Sequence, residues 1–186
     1  MKRQGKICHY GVSVEKVDEA LEALNYDISA IEVIFNMFRL KPAEELFPKA
    51  SKQNVGIIVR VPLASGLLTG KYSEETTFGK ADHRCYNRNG EFFDKGETFS
   101  GVDYMTGVKA ARELKQLLHT DNLAARALRY ILMYPEVSTV ILGASSPAQI
   151  MENVKASSLP PFSHEEMEVV RQVYDKHIRP LVHHCW

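Results

Sequence analysis

From Asn54 to Tyr72 the chain reads NVGIIVRVPLASGLLTGKY, an apolar, β-branched run that passes directly into a glycine-punctuated loop. A short apolar run without alternation reads as a strand buried on both faces, the kind found in parallel sheets. Pro62 ends the run. Loops at the carboxyl ends of parallel strands are where α/β folds place ligands.

The rest of the chain alternates in the same way. Strand candidates are Lys6–Val14, Ile28–Asn36, Val55–Leu63 and Val137–Ser145. The segment Glu15–Leu24 sets Val17, Leu21 and Leu24 on one helical face. Pro42 suits the first turn of a helix running to Gln53, and Pro48 interrupts or kinks it. Helical patterns follow at Tyr104–Leu118 and Asn122–Tyr134, with Asp121 or Asn122 as the cap of the second. Another runs from Pro147 to Ser157. Ser163 and Glu166 have capping-box spacing ahead of a final helix that Pro180 terminates. Strands alternating with helices of this length indicate βαβ units and a parallel sheet. Residues 64–103 form a long connection rich in Gly, Asp, Asn, Arg and aromatics. A connection of that length is usually functional or partly disordered.

Composition narrows the function classes. The 186 residues carry 23 basic and 23 acidic side chains, a balance that argues against nucleic acid or an anionic membrane as the main partner. No apolar run approaches the roughly 20 residues of a membrane span, and the start has no signal-peptide core. Cys8, Cys85 and Cys185 are spread out with no CxxC pair, which points to reduced thiols in the cytoplasm. Cys8 and His9 lie in an apolar run and read as core residues. His183, His184 and Cys185 lack zinc-site spacing and read as a frayed tail.

Chemistry concentrates in two turns. In VILGASSPAQIMEN, Ser146 can cap a helix whose first position is Pro147. That turn is either a plain cap or, through its free N–H groups and the helix dipole, an anion site. In GLLTGK the glycine spacing and Tyr72 fail the P-loop pattern. Its amides and Lys71 can still meet a phosphate, and the alternative is a solvated lysine. Asp82, His83 and Arg84 form a polar cluster in the long connection, not a catalytic triad, and can line a substrate mouth.

These segments resemble the aldo-keto reductase family. ASGLLTGKY is similar to the loop after that family's seventh strand, VILGASSPAQIMEN to the turn after its eighth, KICHYGVSV to its fifth strand and IEVIFN to its sixth. The resemblance implies the α/β class: a parallel (β/α)8 TIM-barrel type fold, here strands five to eight with their helices (a half-barrel) plus a C-terminal helix. It spans residues 1–186 and implies cofactor contacts, to NADP(H) with NAD possible. Ser13 and Glu32 would face the nicotinamide amide, and Arg60 its ring. Leu63, Ser65, Leu68 and Lys71 would contact the pyrophosphate. Gly143, Ser145, Ser146, Gln149 and Asn153 would hold the adenosine end. Val14 stands where the family has asparagine, Glu32 where it has glutamine, and Ser145 and Ser146 where many relatives offer a cation. A carboxylate only accepts hydrogen bonds. For Glu32 and Arg60 a plain ion pair at the barrel mouth is the other reading.

The resemblance further implies reduction of an aldehyde or ketone to an alcohol. No residue matches the family's Asp, Tyr, Lys and His tetrad, which lies on the first four strands. The expected partners are a small carbonyl compound, a polypeptide supplying the other half, or a second copy of the chain. A non-catalytic nucleotide-binding or regulatory fragment is the alternative, and a barrel enzyme using Glu32 with Arg60, or His83, is a third.

Overall fold

A computed structural model describes residues 1–186. It contains one four-stranded sheet, all parallel: β1 (Gly11–Ser13), β2 (Ala30–Ile34), β3 (Gly56–Arg60) and β4 (Val137–Val140), in spatial order β1-β2-β3-β4. Helix α1 (Val17–Ala23) connects β1 to β2, and α2 (Phe47–Lys52) leads into β3. After β3 come the short α3 (His83–Tyr86), then α4 (Tyr104–Leu117) and α5 (Leu123–Ile131). Helix α6 (Pro147–Lys155) follows β4, and α7 (His164–His177) and α8 (Arg179–Val182) complete the order. No helix is long and apolar enough to cross a membrane.

Register assigns the two sheet faces. Ile31, Val33, Ile57 and Val59 are buried against the helices. Their neighbours Glu32, Gly56, Ile58 and Arg60 point the other way and are only half-buried. The expectation of a third strand buried on both faces is therefore corrected: one face is covered and the other forms an open concave wall. The helical layer is tied down by aromatics. Phe35 meets Phe47 and Tyr134, each with ring centroids 4.9 Å apart, and Tyr130 meets Phe162 at 5.6 Å.

Local signals come through in detail. Pro48 cannot donate an N–H, and the chain passes Pro42–Leu46 as a π-turn in which the Phe47 N–H reaches the Pro42 carbonyl, before α2 proper. Asn122 caps α5, Ser146 caps α6, and the Ser163–Glu166 box closes reciprocally at 3.2 and 2.8 Å. Pro180 both ends α7 and opens α8.

Other expectations change. The first strand keeps only Gly11–Ser13, because it pairs with β2 alone. Cys8 and His9 are consequently exposed, and His9 Nδ1 meets Ser29 Oγ at 3.0 Å. The fourth strand ends at Val140 and leaves residues 141–146 as a loop. The connection 64–103 is built of short turns and helix α3, and Tyr72, Phe78, Phe99 and Tyr104 pack it down. The tail is not frayed: His183 Nδ1 bonds the Tyr174 hydroxyl at 2.7 Å and Trp186 is buried.

Candidate functional site

At the carboxyl ends of β3 and β4 two loops face each other across a cleft of about 740 Å³. Ligand cavities of roughly 300–1,000 Å³ are typical. Leu63 and Ser65 line one wall, Gly143, Ser145 and Gln149 the other, with His83, Arg84 and Glu97 at the rim. A second lobe of about 510 Å³ shares Leu63, Arg84, Gly143 and Gln149 with the first and adds Lys71, Glu152 and Asn153. A side chain placed on Gly143 would meet no atom within 4 Å, so this glycine leaves open room beside the backbone.

The turn into α6 is ordered from within. The Ser145 N–H donates to Gln149 Oε1 at 2.6 Å, and the Gln149 N–H donates to Ser146 Oγ at 3.3 Å. Ala148, whose first-turn N–H has no intrahelical partner, borders the second lobe. Ser146 is spent as the cap, as its sequence context allows. Leu68 is fully buried and belongs to the core behind the loop.

Beside the cleft, on the concave face, Arg60 sits among three carboxylates. Its guanidinium donates to Glu97 Oε1, to Glu15 Oε1 at 2.8 Å and to the Val14 carbonyl at 3.2 Å. Glu32 Oε1 lies 3.7 Å from Arg60 Nε and accepts from Ser13 Oγ at 3.4 Å. The ion-pair reading of Glu32 and Arg60 thus has its geometry, within a larger cluster. Burial by itself lowers the Arg60 pKa, but the Glu97 and Glu15 carboxylates more than offset this and the net shift is upward. Burial raises Glu15 to about 7; a hydrogen bond shared with Glu97 adds to this and Arg60 opposes it.

That shift has a stability consequence. With a folded pKa of about 7 against an ordinary 4.5, Glu15 binds more protons folded than unfolded between those values. Stability is full below about 4.5 and falls as pH rises to about 7. Glu15→Gln removes the penalty, and stabilises the chain at pH 8 by about 1 kcal/mol after allowance for partial exposure, with little gain at pH 4.5. Denaturant melts at both pH values check this; an equal difference at the two would rule it out.

Seven of the cofactor contacts implied from sequence (Leu63, Ser65, Lys71, Gly143, Ser145, Gln149, Asn153) border the two lobes, while Ser13, Glu32 and Arg60 gather on the neighbouring wall. Glu15 and Glu97 were not singled out. Each looks like a solvated charge in its own segment. Arg84, seen only as part of a polar cluster, reaches both lobes. Asp82 caps α3 and chelates Arg84 at 2.9 and 2.5 Å. The Arg84 hydrogen bond holds the Asp82 carboxyl near pKa 2 against the opposing effect of burial.

A family model described as the aldo/keto reductase family matches residues 1–175. The chain belongs to the aldo/keto reductase family. Among aldo/keto reductase relatives, the uncharacterized oxidoreductase YqkF of Bacillus subtilis is 27% identical over 172 residues, covering 92% of this chain and 51% of that protein. L-glyceraldehyde 3-phosphate reductase of Escherichia coli K12 is 27% identical over 91% of this chain and 50% of its own length. A probable voltage-gated potassium channel subunit beta of Arabidopsis thaliana is 32% identical over 68% of this chain and 38% of its own. Glycerol dehydrogenase AKR11B4 from Gluconobacter oxydans superposes with a TM-score of 0.70 at 25% identity, covering 95% of this chain and 51% of that one. The holo form of aldo-keto reductase AKR11C1 from Bacillus halodurans gives 0.66 at 27% identity over 92% and 52%. The chain thus spans about half the length of these relatives, and 38% of the channel subunit. Its four parallel strands with their helices are half of the (β/α) barrel.

Proposed function

We propose that the two-lobed cleft binds a nicotinamide dinucleotide, NADP(H) with NAD(H) as the weaker ligand, and that the chain is the cofactor-binding half of an aldehyde or ketone reductase. The observation that carries this reading is convergence: residues from two turns far apart in sequence line one continuous cleft. The donor set suits an anionic, elongated ligand. Lys71 and Arg84 supply positive charge, Ser145, Gln149 and Asn153 polar contacts, and Gly143 room for close approach. The cofactor, when bound, supplies hydride to a carbonyl carbon. The chain's own residues bind and orient. Lys71 and Arg84 would hold phosphate, Ser13 and Glu32 would hold the amide, and Arg60, already held by Glu15 and Glu97, keeps that wall rigid.

The acid that would protonate the carbonyl oxygen as hydride arrives belongs to the complementary four strands, however these are supplied. The substrate class is a small aldehyde or ketone, in keeping with relatives named for L-glyceraldehyde 3-phosphate and glycerol. Three exposed, unpaired cysteines fit a reducing, cytoplasmic setting. The second reading, nucleotide binding in a regulatory role without turnover, is favoured by similarity to proteins named as channel beta subunits.

Titration of the purified chain with NADPH, followed by cofactor fluorescence, tests the cleft. Saturable binding tighter than for NADH is expected, and Lys71→Ala weakens it about tenfold, or ~1.4 kcal/mol. A folded chain that binds neither nucleotide would sink both readings. Turnover after the complementary half is restored separates the enzyme from the regulator.

A further inference from the structure

The sequence contains a single tryptophan, Trp186. It is 5% exposed, and its ring faces the Arg39 guanidinium at 4.0 Å. Arg39 is completely buried, donates to the Glu15 carbonyl, and leaves Nε and Nη1 without hydrogen-bond partners. The indole face therefore meets a cation that no carboxylate pairs directly, the setting in which a cation–π contact is strongest.

The benzo edge of the ring lies against the long connection. A β-carbon on Gly96 would come within 2.8 Å of the ring, and one on Gly101 within 2.7 Å. Between these glycines Phe99 and Ser100, with Gly101 after them, adopt φ values of 56°, 54° and 71°. Consecutive left-handed residues persist only where the surroundings hold them. Asn36 Nδ2 donates to Ser100 Oγ at 3.1 Å, Ser65 Oγ donates to the Glu97 carbonyl at 2.9 Å, and the Phe99 N–H donates to Ser65 Oγ at 3.1 Å. Trp186 packs against Gly96 and Gly101, the two ends of this stretch. Glu97 and Ser65, both fixed by this segment, are cleft wall.

We propose that Trp186 is a positioning residue for the cleft: stacked on Arg39, its ring clamps the strained Gly96–Gly101 segment and so fixes Glu97 and Ser65 in the wall. The clamp stands on geometry alone; its effect on ligand affinity rests on the nicotinamide-nucleotide reading.

Two readouts on wild type, Trp186→Phe, Trp186→Leu and Trp186→Ala test it. Amide hydrogen exchange without nucleotide reads the clamp, and NADPH titration reads the consequence. Trp186→Ala is expected to speed exchange at residues 96–101 at least tenfold while β2 and β3 keep their protection, and to weaken NADPH binding about tenfold. Trp186→Phe, which keeps an aromatic face on Arg39, restores both. Trp186→Leu keeps the apolar bulk without that face; it behaves like alanine and serves if the alanine variant does not fold. Unchanged exchange at 96–101, exchange raised equally throughout, or a phenylalanine variant no better than leucine would overturn the clamp. A wild-type chain that binds no NADPH would overturn the cleft reading and the positioning role together, leaving the exchange contrast to decide the clamp.

Discussion

Arg60→Ala is expected to cost about 3 kcal/mol of stability at pH 8, because it leaves Glu15 and Glu97 facing each other without their shared cation. The Arg60 side chain is only 12% exposed, so water cannot replace it cheaply. The loss shrinks toward pH 5 as Glu15, already near pKa 7, takes up its proton more fully and the repulsion falls. Arg60→Lys keeps the charge but not the fork that reaches two carboxylates and the Val14 carbonyl, and falls between the two. Urea melts at both pH values measure this. A loss below about 1 kcal/mol would mean that the cluster is solvated like an ordinary surface ion pair.

The second large effect concerns association. Helix α6 buries none of its residues, and Ile150, Met151 and Val154 are 53%, 62% and 62% exposed. Ile150 and Val154 line an apolar groove of about 380 Å³ with Leu128, Leu132 and Val140, beside the unpaired edge of β4. An apolar face next to an open strand edge is a template for another chain. The solved relatives are about twice as long as this chain. The purified chain is expected to self-associate through this face at micromolar concentration. The double substitution Ile150→Asp with Val154→Asp should return it to a monomer. It should remove any dependence of the unfolding midpoint on protein concentration. Light scattering decides: a wild-type chain that is monomeric at high concentration removes the proposal that this face is an interface.

What could be read in advance was what is local. Strand, loop and cap wording at Leu63–Lys71 and Gly143–Asn153 placed both cleft walls, because a proline, a glycine or a capping serine acts within a few residues of itself. The Pro48 irregularity and the reciprocal cap at Ser163 and Glu166 follow for the same reason. Contacts between remote segments left no such trace. Glu15 and Glu97 lie 45 and 37 positions from Arg60, and nothing in their own neighbourhoods distinguishes them from solvated charges. His183, His184 and Cys185 read as a frayed tail because what anchors their segment, Trp186 on Arg39, joins positions 147 residues apart. Cys8 and His9 read as core because an apolar run says nothing about whether a neighbouring strand is present to cover it.

The strands lie side by side in the order in which they occur along the chain. Each new strand docks on an edge that the preceding strand has already laid down, and no strand waits for a later one to be inserted between its neighbours. Neighbour-to-neighbour pairing keeps the first two loop closures shorter than a sheet with inserted strands would need. Such a sheet can be assembled vectorially as the polypeptide leaves the ribosome, β1 onto β2 and β2 onto β3. The widest closure still to be made is then the long detour to β4, after which the Arg39–Trp186 stack ties the last residue back to the segment that follows β2.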